Sequence, residues 1–158
     1  MKQMTQELRD RIKDYIKQGL DISNLIQDID IKGEDFSYAI IKNFNRSNQN
    51  LSGLKLYMAQ IGEEGKIMVI SNNNMQNCNF TASKFIGKIF FRKNDCRNSK
   101  FNKADWSNVE YQFTDFRGCS FCDVIIRMGT DYGYKATFDE DMFTELTKYW
   151  IFVKKEIK

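Results

Sequence analysis

Residues Asn94 to Met128 read NDCRN-SKFNK-ADWSN-VEYQF-TDFRG-CSFCD-VIIRM, seven consecutive blocks of five. The middle residues are Cys96, Phe101, Trp106, Tyr111, Phe116, Phe121 and Ile126, and small or β-branched residues stand two places earlier at Ser99, Ala104, Val109, Thr114, Cys119 and Val124. A period of five suits neither regular element. Five steps of an α-helix turn the side chain by about 140°, which would smear the apolar set around the cylinder. Five is also odd, so a flat strand would send successive large residues to opposite faces. The spacing works only if the backbone turns a corner once per block and faces inward each time. It predicts a coiled solenoid whose stacked coils bury a continuous core.

Outward from that stretch the phase runs back to Ile31, giving nineteen centres of which eighteen are apolar or Cys. Arg46 is the exception, and Phe44 is expected to fill in for it. The pattern slips twice. Gly62-Glu63-Glu64-Gly65 predicts a loop or bulge protruding from one coil, and a one-residue slip near Lys88 predicts a smaller bulge. The string Gly62 to Ile67 lacks the glycine spacing and the Ser or Thr of a phosphate loop.

Both ends read as helices. Leu8, Ile12, Tyr15 and Ile16 form one face of a segment from Thr5 to Gln18, with Gly19 placed to stop it. Its expected role is to cover the open end of the first coil. At the other end Thr137 and Glu140 have the form of a capping box. Met142, Leu146, Tyr149 or Trp150, Val153 and Ile157 then make a helical stripe that would close the far end. Phe143 and Phe152 widen it, so Phe143, Trp150 and Phe152 are candidate contacts for a homodimer.

The 158 residues are 42% apolar and 14% aromatic, enough to fold as one unit and too much for disorder. The chain has no His, which removes the commonest acid-base group and metal ligand, and no Pro, so its bends fall to Asn, Gly, Ser, Asp and Lys. No apolar run reaches membrane-span length and the opening MKQMTQELRD has no signal-like core, so a cytoplasmic protein is expected. Cys119 and Cys122 have the spacing of a redox or zinc pair, but the register sends Cys119 inward and Cys122 outward, and no second pair completes a site. Cys78 and Cys96 are core fillers by register. The carboxylate pairs Glu63-Glu64 and Asp139-Glu140 come with no nucleophile, base and pocket together. No catalytic residue, metal or cofactor is expected.

The charged feature of the chain is Lys84, Lys88, Arg92, Lys93, Arg97, Lys100 and Lys103 against Asp95 alone. These seven are candidate contacts for an anion or nucleic acid. They span one full coil, so they should form a belt, and a duplex would touch only one side of it.

Ala104-Asp105-Trp106-Ser107-Asn108, Thr114-Asp115-Phe116-Arg117-Gly118 and Cys78-Asn79-Phe80-Thr81-Ala82 resemble the repeat of the pentapeptide-repeat family. The resemblance covers residues 29 to 128. Trp106, Tyr111 and Cys96 depart from its usual centres, and Glu34, Phe44 and Gln49 from its small residue. It implies an all-β solenoid, a right-handed quadrilateral β-helix with four repeats to a coil, carrying an α-helix at each end. Residues 1–28 would be the cap, 29–128 the solenoid, and 129–158 a loop and helix. Centres twenty residues apart should then stack: Phe91 with Tyr111, Cys96 with Phe116, Phe101 with Phe121 and Trp106 with Ile126. In function it implies a non-enzymatic bacterial scaffold that binds an unidentified protein. The best-known relatives protect gyrase from quinolones by imitating DNA with an acidic face. Here residues 36–128 hold 13 Lys and Arg against 7 Asp and Glu, which weighs against that alternative. A nucleic-acid or anionic-surface binder using the basic coil 84–103 is the other.

Overall fold

The computed structural model describes residues 1–126 and 135–139. The expected C-terminal helix, with Phe143, Trp150 and Phe152, lies outside them. In chain order the elements are α1 (Gln6–Lys17), α2 (Ser23–Ile26), β1 (Ile40–Ile41), β2 (Arg46–Ser47), β3 (Gln60–Ser71), β4 (Lys84–Arg92), β5 (Asp105–Trp106), β6 (Val109–Gln112) and β7 (Ile125–Ile126). Every strand pairing is parallel, and the strands run β1-β3-β4-β5-β7 with β2 on β3 and β6 on β4. Parallel neighbours formed by consecutive passes of the chain are the signature of a β-solenoid.

The pairing shows the coil length directly. Ile40 meets Gln60, Gln60 meets Lys84, Lys84 meets Asp105 and Asp105 meets Ile125. The spacing is therefore 20 residues, then 24, then 21, then 20 again. Between successive passes the chain visits four columns of central residues. One is Ile31, Leu51, Met75, Cys96 and Phe116; another is Phe36, Leu56, Phe80, Phe101 and Phe121. A third is Ile41, Ile61, Phe85, Trp106 and Ile126, and the last is Arg46, Ile70, Phe91 and Tyr111. All of these side chains are buried, as the five-residue reading required. Phe91 pairs with Tyr111 and Trp106 with Ile126, while the Phe101 and Phe121 rings stack at 5.0 Å and 12°. Asp95 bridges to Asp115, which sets Cys96 against Phe116. The Trp106 ring, expected to lean into the room left by the small Cys96, meets Phe116 at 5.9 Å.

The corners use a conformation that L-residues rarely hold. The residue two past the centre has positive φ at Tyr38, Asn48, Met58, Asn77, Ala82, Lys103 and Phe113, among others. Asn tolerates that region, whereas Met, Tyr and Phe do so at a cost. Most corner amides still find a carbonyl on the next coil, as Met58 N does with Thr81 O at 2.9 Å.

Helix α1 begins at Thr5, whose hydroxyl accepts from Leu8 N, and ends before Gly19 at φ 66°. Ile12 is buried, and Leu8, Tyr15 and Ile16 pack on the core, so the apolar stripe of the helix faces inward. Arg46 corrects the sequence reading. It was expected to drop out in favour of Phe44, yet both point inward, at 3% and 1% exposure. Its guanidinium donates to the carbonyls of Ile26 and Gln27, the latter at 2.8 Å, where α2 leaves its last carbonyls open. The column ends at a helix rather than another strand, so the polar centre has acceptors that an apolar one would leave stranded. Burial lowers the Arg46 pKa, and Asp28 partly opposes this.

At the far end Thr137, expected to cap a helix that lies outside the described residues, forms a parallel bridge with Asp115, and Phe116 N donates to Thr137 O at 2.8 Å. Phe138 stacks on Phe116 at 5.1 Å and 17°. Residues 137 and 138 thus extend the first column by one more layer. Among the described residues no helix is long and apolar enough to cross a membrane.

Candidate interaction surface

The insertions that lengthen two successive coils sit on top of one another. Ladder pairing joins Gly62 to Ile86 and resumes at Ile67 with Lys88, leaving residues 63–66 opposite Gly87. The stretch expected as a loop or bulge is a bulged ridge within β3, and the one-residue slip expected near Lys88 belongs to Gly87. Both glycines are sterically required. A Cβ on Gly62 (φ 101°) would lie 2.1 Å from Ile86 O, and one on Gly87 (φ 80°) 2.3 Å from Glu63 O. Backbone-to-backbone approach this close fixes the ridge at its base.

Beside the ridge lies an outward strip of apolar side chains. Ile67 is 63% exposed and Val69 38%, and Phe90 follows on the next coil, half-buried. Two cations flank the Phe90 ring, with Lys88 Nζ 4.9 Å and Arg92 Cζ 4.4 Å from its centroid. Both reach Glu110 below, at 3.0 Å for Lys88 and 3.6 Å for Arg92. Hollows open on the two sides of the ridge. One of about 400 Å³ is bounded by Lys66, Gly87, Lys88, Ser107 and Glu110, and one of about 280 Å³ by Lys42, Asn45, Glu63 and Met68. Lys42 pairs with Glu63 at 3.6 Å, while the side chains of Glu64 and Lys66 enter no ion pair among the described residues.

The basic belt is a belt, and it is partly neutralised. Lys88 and Arg92 are held by Glu110. Arg97 lies 2.7 Å from Asp95 and 3.9 Å from Asp115, which also holds Arg117 at 2.6 Å. The Arg97 hydrogen bonds draw the Asp95 pKa down to about 2. Lys84, Lys93, Lys100 and Lys103 are exposed and make no salt bridge among the described residues. They stand on different columns: Lys84 pairs in register with Asp105, Lys100 bridges to Asn79 and Ser120, and Lys93 and Lys103 are corner residues. Of the seven predicted contacts, Lys88 and Arg92 share one acceptor, Glu110.

The cysteines sit as the register required. Cys78, Cys96 and Cys119 are buried and Cys122 is exposed, none in a disulfide. Burial pushes the Cys78 and Cys119 thiols up to about 12 and raises Cys96 as well. Such thiols are not nucleophiles at neutral pH. Among the described residues no group of three or more His, Cys, Asp and Glu could hold a metal ion.

Sequence reasoning missed the apolar strip because Ile67 and Val69 fall where the five-residue phase is broken. The signal available was the run Ile67-Met68-Val69-Ile70 itself, whose alternation sends two of its four side chains outward.

No family model and no curated protein matches the chain. Among solved structures, the plasmid-mediated fluoroquinolone resistance protein QnrB1 is 13% identical, with a TM-score of 0.35 over 80% of this chain and 68% of its own. A pentapeptide-repeat protein of the Arabidopsis thaliana thylakoid lumen is 15% identical, with a TM-score of 0.32 over 78% of each chain. The pentapeptide-repeat protein Rfr23 of Cyanothece 51142 is 13% identical, with a TM-score of 0.16 over 67% of each. These overlays are loose and carry no argument about what this chain binds.

Proposed function

We propose that the chain is a non-catalytic pentapeptide-repeat scaffold that binds a protein through the ridge face of β3 and β4. On this reading residues 29–128 form a right-handed quadrilateral β-helix, residues 1–28 its cap and 129–158 a closing segment. The observation that carries the function is Ile67, Val69 and Phe90 displayed beside a ridge whose base admits no side chain at Gly62 or Gly87. A rigid apolar strip containing an aromatic and an Arg, rimmed by charge, has the make-up of a binding patch. The solenoid interior is filled by its own side chains, leaving recognition to the outside. A photo-crosslinking side chain at position 67 should trap a discrete protein in host lysate, whereas one at the Asn98 corner should not. Equal capture at both positions would sink the reading.

A second reading takes Lys84, Lys93, Lys100 and Lys103 as contacts for an anion or nucleic acid, together with the partly neutralised Lys88, Arg92 and Arg97. The four lysines without salt bridges favour it, and their placement on different columns weakens it. Counterion release would make such binding fall steeply with salt, whereas an apolar interface is far less sensitive. DNA imitation at gyrase needs an acidic face, and the excess of Lys and Arg in residues 36–128 opposes it. Gyrase supercoiling with and without a quinolone tests it directly.

A further inference from the structure

The ridge is self-complementary in charge. Glu64, Gly65 and Lys66 form its exposed crest, and a Cβ added at Gly65 would meet nothing within 4 Å. Glu64 and Lys66 stand one on each side of Gly65, opposite in sign, with no salt bridge to satisfy either among the described residues. Of the charged groups flanking the ridge, Lys42 is matched with Glu63, and Lys88 and Arg92 with Glu110. An unmatched acid and an unmatched base placed symmetrically about a glycine are what a two-fold axis needs. Rotation about an axis through Gly65 reverses the strand, setting Glu64 of each copy opposite Lys66 of the other. Such an isologous contact forms two identical ion pairs, and the bare glycine lets the crests approach closely.

We propose that two copies of this chain pair antiparallel across the 62–67 ridge, Glu64 of each against Lys66 of the other, with Ile67 and Val69 covered in the joint. The proposal rests on the reading that the ridge face is the interaction surface, and it names the partner as the chain itself. The hollows beside the ridge give the facing crest and its neighbouring Ile67 somewhere to settle.

Charge exchange provides the test. Glu64→Lys alone and Lys66→Glu alone each set two like-charged pairs face to face and should weaken dimerisation about tenfold or more, whereas the double exchange restores opposed pairs and should recover most of it. Sedimentation equilibrium of the full chain over a concentration series reads all four proteins. Circular dichroism checks that each remains folded, as expected for exposed side chains without salt-bridge partners. Ile67→Asp should also weaken the dimer, because that side chain is 63% exposed in the single chain. Three results would overturn the pairing: a wild type monomeric throughout, a dimer indifferent to both single exchanges, or no rescue by the double exchange. Crosslinking at position 67 to a different protein, with a monomeric wild type, would leave the binding face standing and remove only the second copy.

Discussion

The solenoid before the ridge and the solenoid after it solve the same packing problem with different residues. Up to Ile61 the centres are mainly aliphatic (Ile31, Ile41, Leu51, Leu56, Ile61), and larger residues such as Phe44 and Leu54 take the inward place two positions earlier. From Phe80 onward the centres are mostly aromatic, and the earlier place shrinks to Cys78, Ser83, Asn94, Ser99, Ala104 or Thr114. A large centre with a small neighbour fills about the same room as two medium residues. The difference is chemical. In the second part several of the small residues are polar and join coils: Asn73 Nδ2 donates to Asn94 Oδ1 at 3.2 Å, Asn94 Nδ2 to Ile70 O at 2.9 Å, and Ser99 Oγ to Met75 O at 2.8 Å. The first part relies on apolar contact and closes at the top with one buried cation.

The sharpest way to break this contrast is Trp106→Ala. Its ring lies within 5.2 Å of Phe85, Phe91 and Phe101, so truncation should cost about 3–5 kcal/mol in urea unfolding by opening a cavity. A much smaller loss would mean that the aromatic part repacks as freely as an oil. Arg46→Ala is the counterpart in the first part. It leaves the carbonyls of Ile26 and Gln27 without their donor and should cost about 2–3 kcal/mol, read by the same unfolding. Amide exchange should show that loss concentrated in residues 1–30.

Asn94→Ala tests the polar ladder. It removes the acceptor of Asn73 N and the donor to Ile70 O, all buried, and should cost about 1–3 kcal/mol. A neutral result would make the aromatic stack alone responsible for coil cohesion. Asp95→Asn sharpens the outer side of the same coils. The folded-state pKa of Asp95, about 2, lies below the ordinary Asp value, so its contribution is present at neutral pH and is lost as pH falls through about 4 towards 2. The stability gap between wild type and Asp95→Asn should therefore close on acidification, as thermal unfolding across that range would show. The smallest effect is at a corner of the first part. Met58 holds φ 54° while 47% exposed, so Met58→Gly should raise stability by about 0.5 kcal/mol by relieving a left-handed methionine. Ala82→Gly, on the next coil of the same corner at φ 56°, gives the matching measurement.

The contrast also shows what a linear reading can carry. The columns were legible because a five-residue step meeting a twenty-residue coil leaves each centre one set of neighbours, as Phe101 on Phe121 demonstrates. Arg46 was not, since apolarity defines the pattern and nothing in the sequence shows that its column ends at the carbonyls of α2. The bridge of Thr137 to Asp115 was not legible either, because it depends on a return of the chain. Bends were expected at Asn, Gly, Ser, Asp and Lys but not at Tyr38 or Met58, where main-chain bonding to the adjacent coil overrides local preference. As for the surface, the ridge showed as a phase slip, and the belt showed as charge. Which lysines are neutralised depends on partners such as Glu110, about a coil away, and required the folded register.

The 24-residue coil followed by one of 21 and then of 20 behaves like a lattice dislocation that heals over two layers. Gly87 is the half-step between the widened layer and the regular ones, because its missing side chain receives the carbonyls of Glu63 and Lys66. Length changes at these two sites are therefore coupled. Excising 63–66 alone would strand Gly87 as a surplus residue with nothing to accommodate, and grafting the ridge onto another coil would require a matching glycine inserted one layer on. A protrusion built this way is gained or lost in paired steps, a coupling that a simple hairpin loop lacks.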